Sequence, residues 1–184
     1  DESMLELVKQ LPIAPWADTI EQSGFGLRSL FTIIGETGNL SNYPNPAKVW
    51  KRLGCAPHTF DGKTKMGATW KKGTEGKLPA SEWEEFGYCP RRRAIAFIIG
   101  QNIKMLNGAK QSRTNPDRKR PCGPYRKRFD EAKRIFQEKH PEYKPMRCDR
   151  HGMLVATKLL LKNLWIEWNK AGDMASETDS PYAG

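Results

Sequence analysis

The sequence predicts a mainly α-helical, multi-helix domain with an N-terminal helix-hairpin-helix-like motif and a basic loop or short hairpin insertion. Two observations carry that expectation. Apolar side chains recur at helical spacing along most of the chain, and many of these segments open on Asn or Pro and close on Gly. The stretches that break the period, Cys55 to Pro79 and Lys110 to Pro124, are rich in Gly, Lys, Arg or Pro.

Leu5, Val8 and Leu11 share one helical face, and Pro12 stops that segment. A second short helix follows Pro15, from Trp16 to Glu21. Ser23-Gly24-Phe25-Gly26 joins it to the apolar stretch Leu27, Leu30, Phe31, Ile33 and Ile34, which is expected to end at Gly35. Two short helices joined by Gly-hydrophobic-Gly make the hairpin pattern. Its glycines accept backbone angles that other residues avoid, and Phe25 closes the turn from inside. Free amides there, with the N-terminus of the next helix, offer a nest for an anion such as phosphate. Many helix turns carry two glycines, so the pattern alone is not specific.

Gly38 to Asn45 reads as a loop. Asn45-Pro46 then signals a helix start, with Asn as cap and Pro in the first turn; Val49, Trp50 and Leu53 give the helix its apolar face and Gly54 ends it. Asp61-Gly62-Lys63-Thr64-Lys65 and Lys71-Lys72-Gly73 fit a β-hairpin or a loop equally well. Ser81-Glu82-Trp83-Glu84 has the spacing of a capping box for a short helix closed by Gly87.

Pro90 opens a helix expected over 90–107, with Arg91, Arg92 and Arg93 in its first turn. Its apolar positions nearly encircle it, which predicts a central core helix with Phe97 and Ile98 buried. Three arginines oppose the positive end of the helix dipole, an arrangement best tolerated where an external polyanion meets it. The plainer reading is three side chains snorkelling into water. Tyr125, Phe129, Ala132 and Phe136 stripe a helix over 124–140 whose outer face carries Arg126, Lys127, Lys133 and Arg134. A further helix, 151–169, places Leu154, Leu161, Trp165 and Trp168 on one face; Phe129, Leu161 and Trp165 are expected in the core. The organisation is thus residues 1–108, a basic linker over 109–123, two more helices of the same domain over 124–170, and a flexible tail over 171–184.

The chain has 184 residues, a size suited to one domain with appendages, and its mean hydropathy is −0.72. Six Trp, seven Phe and five Tyr suffice to anchor a core, which excludes wholesale disorder. The longest run free of polar side chains, Ala94 to Gly100, is far short of a bilayer span. Asp1-Glu2-Ser3 does not read as a signal or transit peptide, and the absent initiator Met fits a processed protein or a piece of a longer one. A cytoplasmic, bacterial or phage-associated protein without membrane contact is expected.

Net charge is +10, and it is concentrated: residues 1–50 carry −3, 51–100 carry +5, 101–150 carry +9 and 151–184 carry −1. Such blocks attract a phosphate backbone through steering and counterion release. Cys55, Cys89, Cys122 and Cys148 lack the close pairing of a zinc knuckle and are read as reduced thiols. Cys148 with His151 and His140 makes at most a weak ligand set, so no metal and no other cofactor is expected.

Ser23-Gly24-Phe25-Gly26, the run Ile33-Ile34-Gly35-Glu36-Thr37-Gly38-Asn39-Leu40-Ser41-Asn42-Tyr43-Pro44-Asn45-Pro46, and Trp50-Lys51-Arg52-Leu53-Gly54-Cys55-Ala56-Pro57 go beyond generic helix signals. Together they resemble the C-terminal domain of the insertion-sequence family called IS-one-ten, bacterial transposases and DNA recombinases. Trp70-Lys71-Lys72-Gly73, Tyr88 to Leu106 and Leu159 to Trp168 are similar to that family's basic turn, following helix and closing helix. The resemblance implies a nucleic-acid-binding domain that works with a RuvC-like acidic domain and itself carries a serine nucleophile. The loop after Pro57 reads His58-Thr59-Phe60-Asp61-Gly62-Lys63 and has no serine, and no acidic set stands out elsewhere. Thr59 is the nearest hydroxyl, and sequence adjacency to His58 does not activate it. No catalytic residue is therefore assigned, and the chain alone is expected neither to cleave nor to join DNA.

The functional expectation is binding of DNA or structured RNA through Gly24, Gly26, Arg28, Lys71, Lys72, Arg91, Arg92, Arg93, Arg126 and Lys127, with a separate catalytic domain or a second copy as further partners. The alternative is a structural or assembly protein of a phage or mobile element whose basic middle binds an acidic protein.

Overall fold

The computed structural model describes residues 2–20, 25–60, 63–65, 89–106 and 123–178. Most of them are helical: α1 (Glu2–Lys9), α2 (Ala14–Thr19), α3 (Leu27–Thr37), α4 (Pro46–Arg52), α5 (Pro90–Leu106), α6 (Pro124–Lys139) and α7 (Pro145–Thr178). A 3-10 turn spans Leu40–Asn42. After α4, β1 (His58–Phe60) and β2 (Lys63–Lys65) pair antiparallel, with Thr59 opposite Thr64, so a hairpin stands where the sequence left hairpin and loop open.

Local signals set several boundaries. The Asn45 side chain accepts from the Lys48 amide and caps α4, and Gly54 leaves it at φ +64°. Gly123-Pro124 opens α6, where the absent proline N–H costs nothing.

Two helices run further than expected. α3 does not end at Gly35 but continues to Thr37, because Gly35 sits in an ordinary helical turn and Gly38, at φ +71°, makes the break. α7 starts at Pro145, before residue 151, and continues past Ala171 to Thr178. In its first turns only Cys148 is a buried apolar residue, Met146 being exposed, so they carry no apolar stripe to announce a helix.

At 34 residues α7 is roughly 50 Å long and forms the spine. It packs along α6 and α5 and also touches α4 and the 3-10 turn, while α1 and α2 lie on α3, which leans on α5. The core runs through all of these: Leu160, Leu161 and Leu164 of α7 meet Ile99 and Ile103 of α5, Phe129 of α6, Val49 of α4, and Leu30 and Ile33 of α3. Three indoles pin the early segment to the spine or reach from it. Trp50 Nε1 donates to the Lys158 carbonyl (3.0 Å), Trp165 Nε1 to the Tyr43 carbonyl (2.9 Å) and Trp168 Nε1 to Asn39 Oδ1 (2.9 Å). The run from Gly38 to Asn45 is thus a loop held in register by α7.

Phe129 and Leu161 are buried as expected, and Trp165 is half-buried against the core. Phe97 and Ile98 are not buried: they stand 37% and 56% exposed. α7 and α3 cover the side of α5 bearing Ala96, Ile99 and Ile103, and an all-round apolar pattern gives no way to foresee which strip would be left out. The expected helix near Ser81, the linker over 109–122 and the tail beyond Thr178 lie outside the described residues.

Candidate nucleic-acid interface

The fold divides the cations into those that meet a carboxylate and those that do not. Arg91 and Arg92 belong to the first group. Glu36, near the end of α3, receives Arg91 Nε at 2.8 Å on one oxygen and Arg92 Nε at 3.4 Å on the other. This half-buried carboxylate supplies the anion that the crowded helix start requires, so no external polyanion is needed to explain two of the three arginines. Arg126 is also engaged: it donates to Asp130 (2.8 Å) and to the Lys104 carbonyl (2.6 Å), with its guanidinium over the Phe129 ring. Lys104 and Lys133 converge on Asp149 at 2.6 and 2.8 Å. Arg134 and Arg128 form pairs with Glu138 and Glu131 along α6, a kind of surface contact worth little.

Arg28, Lys127, Arg93, Arg147 and Arg150 belong to no ion pair among the described residues. Arg28 and Lys127 are exposed on α3 and α6. Gly26, extended at φ −143°, caps α3 without the left-handed backbone expected of it, and with Arg28 it borders a groove of about 650 Å³ walled by Ile95, Ile98 and Ile99. Phe25 does tuck inward, against Trp16. Gly24, Lys71 and Lys72 lie outside the described residues. The described residues among these therefore lie on separate surfaces.

A better-defined site lies between the first halves of α5 and α7. A groove of about 590 Å³ is lined by Arg93 and Phe97 of α5, Phe136 of α6, and Arg147, Arg150 and His151 of α7, and no described carboxylate lines it. Arg93 points one guanidinium N–H toward Cys55 Sγ, 3.7 Å away; burial pushes that thiol's pKa up, which leaves it a poor nucleophile.

A column of rings braces the other wall. Phe136 stacks on His151 at 4.0 Å and 11°, His140 stacks on Tyr143 at 4.7 Å, and Arg147 lies 3.6 Å over the Tyr143 ring. Burial, with His140 and Lys158 nearby, holds the His151 pKa below its ordinary 6.5 and favours the neutral ring at pH 7. Arg147 is thus held from one side by an aromatic face while its donors stay available.

Of the site residues, sequence reading singled out only Arg93 as a phosphate contact. A signal for the rest exists. Arg93 and Phe97 are spaced i, i+4, and Arg147, Arg150, His151 and Leu154 are spaced i, i+3, i+4 and i+7, so each set shares one helical face. Starting the last helix at Pro145 makes the second set visible. Among the described residues no three His, Cys, Asp or Glu side chains cluster to hold a metal, and no helix is long and apolar enough to cross a membrane. No family model, curated protein or solved structure matches the chain.

Proposed function

We propose that this chain is a nucleic-acid-binding domain, related to the C-terminal domain of the transposase and recombinase family it resembles, that holds phosphates on Arg93, Arg147 and Arg150. One observation carries the reading. Three arginines from two helices converge on one concave surface with no described carboxylate to neutralise them, in a chain of net charge +10. Guanidinium groups gathered on one surface repel one another unless an anion meets them, and a phosphate fits their planar donor fork. Lys127 and Arg28, exposed on other surfaces, add to the overall positive field. DNA and structured RNA both offer the required charge.

The test is a titration of the full chain with labelled DNA and RNA at increasing salt. Affinity should fall steeply, and Arg147→Ala and Arg150→Ala should each reduce the log–log salt slope by about one. Arg91→Ala, which removes a residue already paired with Glu36, should change the slope less. Salt-insensitive binding, or full binding retained after Arg93, Arg147 and Arg150 are all replaced by Gln, would overturn the reading and favour an acidic protein partner.

A further inference from the structure

We infer that the groove between α5 and α7 takes an unpaired nucleobase, stacked on Phe97 and the Phe136–His151 pair, with the flanking phosphates on Arg147 and Arg150. This rests on the nucleic-acid reading above and narrows it from any polyanion to a strand that offers a free base.

Duplex phosphates need only a convex basic surface. This site is recessed, and its floor is apolar and aromatic. Phe97 keeps 37% of its surface exposed beside the groove, although neighbouring Ala96 and Ile99 on the same helix are buried. An exposed phenyl ring costs solvation free energy unless an occupant covers it. Phe136 and His151 of the same lining stack nearly parallel at 4.0 Å, and the lowered pKa of His151 favours a neutral π surface at pH 7. The groove volume, about 590 Å³, falls within the range of sites that enclose a small planar ligand.

The charge sits where a backbone would pass. Arg147 and Arg150 are exposed on the first turns of α7, and Arg147 is oriented by the Tyr143 ring. Flat apolar walls flanked by guanidinium groups, without described acid in the lining, suit a base with a phosphate on each side. An acidic peptide would satisfy the arginines but would leave the ring faces with nothing planar to stack on.

The experiment compares the full chain on four labelled probes, each in DNA and RNA form: a perfect duplex, the same duplex with a one-nucleotide bulge, the same bulge made abasic, and a single strand. The bulged and single-stranded probes should bind roughly five- to a hundredfold more tightly than the perfect duplex, and the abasic bulge should lose that advantage. Phe97→Leu, which keeps apolar bulk but removes the ring, should abolish the preference, so that bulged and perfect duplexes bind alike. Phe97→Trp should retain it. Comparison of the DNA and RNA arms identifies which strand chemistry is preferred. Equal affinity for bulged and perfect duplexes, or a preference untouched by Phe97→Leu, overturns the base pocket and leaves nucleic-acid binding standing. Failure to bind any probe overturns both.

Discussion

Gly152 of α7 lies directly against Phe129 of α6. A Cβ at Gly152 would stand 2.8 Å from the Phe129 carbonyl oxygen and 3.0 Å from Cδ2 of its ring. Gly100 plays the matching part between α5 and α7, where a Cβ would meet Met153 Cβ and Thr157 Oγ1 at 3.0 Å. The spine helix can approach both neighbours this closely because one partner at each crossing is a glycine with no side chain of its own, and the cationic groove lies between the same helices.

Gly152→Ala should therefore destabilise the fold by about 1–3 kcal/mol, since the obstruction is backbone and cannot swing away. This outweighs the roughly 1 kcal/mol that alanine gains over glycine in a helix. Gly35→Ala is the control: no heavy atom lies within 4 Å of its added methyl, so a gain of about 0.5–1 kcal/mol is expected. Urea denaturation of both variants checks the pair. Opposite signs are required, and a stabilised Gly152→Ala would mean that α6 and α7 are not in close contact there.

Trp165 joins the loop before α4 to the spine through its indole N–H on the Tyr43 carbonyl. Trp165→Phe keeps a large ring but leaves that carbonyl without its donor, and should cost about 1 kcal/mol. Trp165→Ala also opens a void in the half-buried site and should cost about 3 kcal/mol or more. A loss below about half a kcal/mol for the alanine variant would place this part of α7 on the surface.

Asp149 ties three helices together by accepting a hydrogen bond from Lys104 and pairing in charge with Lys133. Burial alone would raise its pKa, but the two lysines outweigh that and hold the carboxyl below its ordinary 3.8. A depressed carboxylate pKa stabilises the fold above the unfolded value, and that contribution is lost as pH falls through the folded value. Asp149→Asn should therefore cost about 1–3 kcal/mol at pH 7. Its difference from the parent should shrink as pH drops below 3.8. Thermal melts from pH 7 to pH 2.5 follow this, and a constant difference across the range would remove Asp149 from the acid response.

Caps, helix starts and apolar stripes are legible without any tertiary contact. The Asn45 cap, the Pro124 start and the apolar stripe of Tyr125, Phe129 and Ala132 act through neighbours a few residues away, so they can be read without a structure. The helical class and the burial of Phe25, Phe129 and Leu161 follow from those signals. Tertiary packing decided which face of an all-round apolar helix meets the core, leaving Phe97 and Ile98 outside. It also decided which arginines find a carboxylate. Glu36 lies more than fifty residues from Arg91 and Arg92, and nothing local foretells that it pairs with them while Arg93, Arg147 and Arg150 gather elsewhere. Charge along a chain is a sum, but a site is a placement, and placement depends on helices that meet across sixty or a hundred residues of sequence.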